Sequence, residues 1–248
     1  MPAFVLAVAD SSSTVPPAIC RSAAEISNAW RWLRRAARHQ AGVADLVIQE
    51  HLSGQQYVVH TSSGPASQHV VMGVWAERRT FNHVHARSDL MTSNSQVVRS
   101  MSLYVGRALD ALGVKVGPAR CRMVCTAGRG PTLLSARAFA QPSLAADRLI
   151  AGRGAAEQSE SLFVSRVSLI APGDGILDAH LLRTVTTLPT VSHTIGSLVA
   201  GAAVRKTVDR SSSPGELVLS ATSRAAIEED YRVIRAVETL GLYEGATL

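Results

Sequence analysis

Cysteine, lysine and aromatic side chains are all scarce in this chain of 248 residues. The three cysteines, Cys20, Cys121 and Cys125, are odd in number and have no C-x-x-C spacing. That excludes a disulfide framework and a zinc knuckle, and reads them as reduced core thiols. Aromatics make up 4% of residues, too few for a base-stacking platform, so the net charge of +6 and pI of about 9.8 make no case for nucleic acid. Of the 25 basic residues only Lys115 and Lys206 are lysines. No apolar run approaches the ~18 residues that a membrane span requires. Met1 to Val8 is apolar without a basic leader, and Asp10 and Ser11 end the run too early for a secretory signal, so a cytoplasmic location is expected.

What is present is a regular alternation of strand and helix signals. Phe4 to Val8 reads as a buried strand, followed by turn chemistry from Asp10 to Pro17. Ser22 with Glu25 forms a capping box ahead of Ile26, Trp30, Leu33 and Ala37, which recur at helical spacing. Arg31, Arg34, Arg35 and Arg38 lie on the other side of that helix, a solvated basic face. Leu46–Glu50, Gln56–Ser62 and His69–Trp75 read as a meander of strands. Ser95 to Leu112 reads as a second long helix capped by Gly113. Strands are expected at Ala119–Thr126 and Thr132–Phe139, and a short helix at Ser143–Ala151. The C-terminal third reads as strand (Leu162–Ile170), helix (Asp178–Thr187), strands around Val199–Val208 and Glu216–Ser220, and helix (Ser223–Leu240).

Several of these segments, taken in order, resemble the ATP-grasp carboxylate–amine ligases, in particular the branch that joins amino acids. Val47-Ile-Gln-Glu-His-Leu-Ser-Gly54 followed by Gln56-Tyr-Val-Val-His60 resembles that family's "vQEyl-G-EYvvD" strand pair. Ala108-Leu-Asp-Ala-Leu-Gly-Val114 with Gly117-Pro118 resembles its "aL-alG-v-Gp-h-E" block, and Pro131-Thr-Leu-Leu134 stands where the family has "GpvliEvNaR". Phe4 to Asp10 resembles the "vvKPvdS" strand, and Arg232-Val-Ile-Arg-Ala-Val-Glu238 the C-terminal helix. The resemblance implies an α+β, ATP-grasp-like fold of two subdomains with a C-terminal α/β extension. The expected parts are a partial small subdomain at 1–45, a central subdomain at 46–155 and the extension at 156–248. The N-terminal Rossmann-like domain of the family has no counterpart in the sequence.

The resemblance also implies chemistry that the residues do not repeat. The family activates a carboxylate with Mg-ATP, which needs lysines and a glycine-rich loop on the phosphates and acidic ligands for magnesium. Its phosphate-contacting lysine falls on Ala7, and the second basic position falls at or near Arg79. Ser11 to Pro17 has no glycine and two prolines that lack an amide hydrogen. The two acidic metal ligands fall on Arg122 and Ser135, and the asparagine on Arg137. Two guanidiniums ~4 Å from a dication repel it by several kcal/mol even at an effective dielectric near 20. Gln56 replaces the family's acid before the hinge turn, His60 its aspartate and Phe139 its arginine, while Glu50 is retained at the hinge.

Strand alternation puts Arg120 and Arg122 on one face and Cys121, Met123 and Cys125 on the other, with Ser135 and Arg137 sharing a face of the next strand. If those strands pair as in the family, an arginine-lined, anion-binding cleft results, with Arg79, Arg120, Arg122, Ser135 and Arg137 as ligand-binding candidates. The opposing expectation is that these arginines pair with acidic residues across the cleft. His60, His83 and His85 are the candidates for acid/base catalysis. No acidic third ligand is spaced near them, so no metal site is expected, and no cofactor. Tyr57 and Trp75 read as core or hinge. The sequence leads to a catalytically degenerate, ATP-grasp-like pseudoenzyme without ligase activity. It would be a binding or scaffold subunit in amino-acid or peptide-derived biosynthesis, partnered by an intact ligase or a second copy of itself. The alternative is an ATP-independent cyclase, isomerase or lyase acting on a carboxylated metabolite.

Overall fold

The computed structural model describes residues 3–8, 17–41, 45–65, 68–80, 84–138 and 162–246. The chain forms two compact units, Met1–Gly54 and Gln55–Leu248. The expected helix at 143–151, the strand end at Phe139 and His83 lie outside the described residues.

In the first unit, β1 (Phe4–Val8) is the central strand of an antiparallel sheet, flanked by β2 (Ala18–Cys20) and β3 (Leu46–Glu50). The expected meander is therefore corrected at its first strand: β3 pairs with β1, Leu6 opposite Ile48, rather than with the strand that follows it. Helix α1 (Ala23–Ala41) covers this sheet, with Leu33 packing on Leu6 and Cys20. Its start is the expected capping box displaced by one residue. The Glu25 N–H donates to Ser22 Oγ at 3.2 Å, and the Glu25 carboxylate accepts from the Arg21 N–H at 2.7 Å.

The second unit is built on an eight-stranded sheet in which every neighbouring pair is antiparallel. Its strands are β4 (Gln55–Gly64), β5 (Gln68–Arg79), β6 (His85–Leu90), β7 (Gly117–Thr126), β8 (Gly130–Ala138), β9 (Phe163–Ser168), β11 (Val191–Ile195) and β13 (Glu216–Ala221). They run in the order β11-β13-β9-β6-β5-β4-β7-β8, so the C-terminal α/β segment continues the central sheet through β9. β10 (Gly175–Leu177), β12 (Ala203–Val204) and β14 (Tyr243–Glu244) make a small second sheet. The expected strands around Val199–Val208 reduce to the two residues of β12.

Among the described residues the unit has three helices: α2 (Gln96–Ala111), α3 (Ala179–Thr186) and α4 (Arg224–Leu240). Ser95 caps α2 by accepting from the Val98 N–H, and Gly113 follows its C-terminus with φ of 71°, a left-handed conformation that glycine adopts without a Cβ penalty. Among the described residues no helix is long and apolar enough to cross a membrane.

Directly opposed residues of an antiparallel pair share a face, so the register divides the large sheet in two. Tyr57, Ala76, Asp89, Ser165 and Leu219 form one continuous row. On that face α2 buries Val98, Met101, Val105 and Leu109 against Val59, Val74, Cys121 and Met123. At the other end α4 buries Ile227 and Ile234 against Val167, Leu217 and Leu219. The helix-packed cores thus lie on one side, while the other carries polar side chains together with the buried Val58, Trp75, Val124 and Val218.

A candidate anion-binding face

The opposite face gathers the arginines. Arg120 of β7 stands directly between His60 of β4 and Arg137 of β8, and Arg122 between Val58 and Ser135. The sequence-derived group of Arg120, Arg122, Ser135, Arg137 and His60 is therefore brought together. Arg79 lies on the same face, across β5–β6 from His85. Arg122, Ser135, Arg137 and Arg79 are exposed, whereas Arg120 and His60 are half-buried. Bulges on three strand pairs insert Met72, Ala86 and Leu134 as unpaired residues beside this face, a device that re-aims the neighbouring side chains.

The structure does not unite the two described histidines. His60 faces Arg120, while His85 is 4% exposed and enclosed by hydroxyls: its Nδ1 lies 2.8 Å from Ser168 Oγ and its Nε2 2.8 Å from Ser88 Oγ. Burial, reinforced by Arg210 and Arg79 and opposed by Glu77 and Glu216, lowers the His85 pKa to about 4. The ring is neutral at physiological pH, so one nitrogen donates to a serine and the other accepts from one. Among the described residues no group of three or more His, Cys, Asp or Glu is placed to hold a metal ion.

Sequence reasoning missed the remainder of the site. Arg166 of β9 and Arg210 of the 205–215 loop both reach Glu216. Arg166 Nη2 donates to Glu216 Oε2 at 2.6 Å, and Arg210 Nη2 to the same oxygen at 3.0 Å. Burial works to raise the Glu216 pKa, but the hydrogen bonds and charges of Arg210 and Arg166 prevail and hold it down at about 2. Glu77, 8% exposed, faces Arg79 Nη2 at 3.6 Å. Arg79, Arg166 and Arg210 are thus each paired with an acidic residue. Burial and the charges of Arg210, Arg122 and Arg166 lower the Arg120 pKa, with Glu77 acting the other way. Trp75, read from sequence as core or hinge, is 2% exposed, with the Arg166 Cζ 5.9 Å from its ring centroid.

The fold is ATP-grasp-like. The chain is similar in structure to the L-amino acid ligase from Bacillus licheniformis, with a TM-score of 0.69 at 14% identity over 95% of this chain and 62% of that one. It is also similar to the biotin carboxylase domain of the Hydrogenobacter thermophilus 2-oxoglutarate carboxylase (TM-score 0.64, 11% identity, 92% of this chain and 55% of that one). N5-carboxyaminoimidazole synthase from Aspergillus clavatus is a third neighbour (0.64, 12%, 95% and 62%). The chain spans about three fifths of the length of these enzymes. No family model and no curated protein sequence matches it.

The strand positions to which the resemblance assigns the magnesium ligands carry no carboxylate. The opposed pair Arg122 and Ser135, with Arg137 beside Arg120, occupies the strand positions where the resemblance puts the metal's oxygen ligands. A hard dication requires anionic or carbonyl oxygen, and these positions offer guanidinium and one hydroxyl.

Proposed function

We propose that this chain is an ATP-grasp-fold protein without ATP-dependent ligase activity, whose sheet binds a small anion in the absence of metal. It would serve as a binding or scaffold subunit beside an intact ligase, or as a homodimer, in amino-acid or peptide-derived biosynthesis. The observation that carries the reading is the row His60–Arg120–Arg137 beside Arg122 and Ser135: two guanidiniums directly opposed on neighbouring strands repel each other, and an anion between them relieves that repulsion. Fold by itself does not fix activity, and the donor set supports this reading over ligation.

The test is a double variant, Arg122→Ala with Arg137→Ala, titrated with pyrophosphate and with succinate in magnesium-free buffer. A loss of at least tenfold in affinity for whichever anion the parent binds is expected, and unchanged binding sinks the reading. Comigration with an ATP-grasp ligase from the same cells tests the scaffold role. His60, half-buried against Arg120, favours a second reading in which the face performs ATP-independent acid/base chemistry on a carboxylated metabolite. Turnover of such a metabolite without nucleotide, lost in His60→Gln, would distinguish it.

A further inference from the structure

Two buried N–H donors on the basic face find no acceptor among the described residues. The Trp75 indole Nε1–H has no hydrogen-bond partner although the residue is 2% exposed, and the buried Arg120 Nε–H has none either. Both belong to the same face. Trp75 stands opposite Val58, whose other neighbour is Arg122, and Arg120 stands opposite His60 one row along. Buried donors are almost always satisfied in folded proteins, so a pair left open on one face points to an acceptor supplied from outside.

The acids nearby are already engaged. Glu216 takes Arg166 and Arg210, and Glu77 faces Arg79. No ion pair among the described residues takes in Arg120 or Arg122. The face therefore offers a single ligand the guanidinium charges of Arg120 and Arg122, with the buried Arg120 Nε–H and the neutral Trp75 indole N–H as donors. Arg120 and Arg122 are alternate residues of one strand, which sets their Cα atoms about 7 Å apart. A ligand with its two charges on a short chain spans that separation, whereas inorganic phosphate concentrates both charges on one centre.

We infer that this part of the face is a metal-free site for a small linear dicarboxylate. Its oxygens accept from Arg120 Nε–H and Trp75 Nε1–H, and its second charge meets Arg122. The inference rests on the anion-binding reading above and specifies its ligand class and donors.

The test uses the full chain carrying Trp30→Phe and Trp32→Phe, which removes the two exposed tryptophans and leaves Trp75 as the only indole reporter. Succinate and glutarate are titrated without magnesium by calorimetry and by Trp75 emission, with butyrate and inorganic phosphate as comparison ligands. Saturable diacid binding that alters Trp75 emission is expected, with butyrate and phosphate at least tenfold weaker. Arg120→Lys keeps the charge but has no donor at the Nε position, and should weaken diacid binding at least tenfold. Trp75→Phe keeps the packing without the N–H and should do the same; if that variant does not fold, Arg120→Lys decides. Diacid affinity unchanged in the variants, or phosphate binding as tightly as the diacid, overturns this inference and leaves the anion-binding reading standing. Failure of every anion to bind overturns both.

Discussion

At the scale of single residues, the polar face has a pH signature. His85 faces Ser88 and Ser168 directly, and Arg79, Arg210, Glu77 and Glu216 electrostatically, and its pKa is lowered to about 4 from 6.5. Between those values the unfolded chain binds more protons than the folded one, so this contribution is complete above pH 6.5 and is lost as the pH falls toward 4. The shift corresponds to about 3 kcal/mol, since one unit is worth 1.36 kcal/mol. Glu216, held at about 2, adds a loss in the same direction from pH 4.5 downward. Glu238 acts oppositely. Burial raises it to about 7 against Arg235 and the Ile170 and Tyr243 donors, so its contribution is complete below pH 4.5 and is lost as the pH rises through 7. The two contributions run in opposite directions between pH 4.5 and 6.5, so urea midpoints measured from pH 4 to 8 should fall more steeply with rising pH in His85→Gln than in the parent, and rise more steeply in Glu238→Gln. A His85→Gln curve parallel to the parent's between pH 4 and 6.5 would contradict the His85 assignment. Arg120 and Arg122 were legible as a pair because strand alternation aligns them, and Arg137 joined them through the strand pairing that the resemblance implies. Arg166, Arg210 and Glu216 were not, because they join the group only when β9 and β13 are inserted beside β6, a pairing of segments some eighty residues apart with no local signal.

At the scale of elements, helices were more legible than strands. The boundaries of α2 follow from Ser95, Gly113 and apolar residues at helical spacing. Replacing Ser95 by alanine removes the acceptor for the Val98 N–H and should cost about 1 kcal/mol in unfolding experiments. Strand β6 escaped the sequence reading because its buried residues include His85, Arg87, Ser88 and Asp89, which hydrophobic alternation cannot register as interior. Its burial is made tolerable by ion pairing on the helix-covered face. Asp89 receives the Arg87 and Arg78 guanidiniums and the Ser165 hydroxyl, and Arg87 Nη1 also reaches Glu228 of α4 at 3.0 Å. Removing one partner leaves a buried charge uncompensated, so Asp89→Ala should destabilise the second unit by about 3–5 kcal/mol, read from chemical denaturation. A loss below about 1 kcal/mol would show that water or a rearranged Glu228 compensates Arg87. The partner of β3 was also illegible: nearness in sequence favours β4, whereas the register to β1 is a non-local pairing.

At the scale of the whole molecule, α2 and α4 cover one side of the large sheet, and Arg120, Arg122 and Arg137 stand on the other. The fold is shared with the structurally similar ligases and carboxylases. It was legible in the sequence because short motifs such as Val47–Gly54, Ala108–Val114 and Arg232–Glu238 stand in the order that the resemblance requires. The most direct measurement is a calorimetric titration of the full chain with Mg-ATP up to millimolar concentration, beside ATP without magnesium. The expected result is no saturable magnesium-dependent binding, because Arg122, Ser135 and Arg137 offer a dication no anionic oxygen. Magnesium-dependent saturation with ATP would contradict the account and return the protein to ligase chemistry.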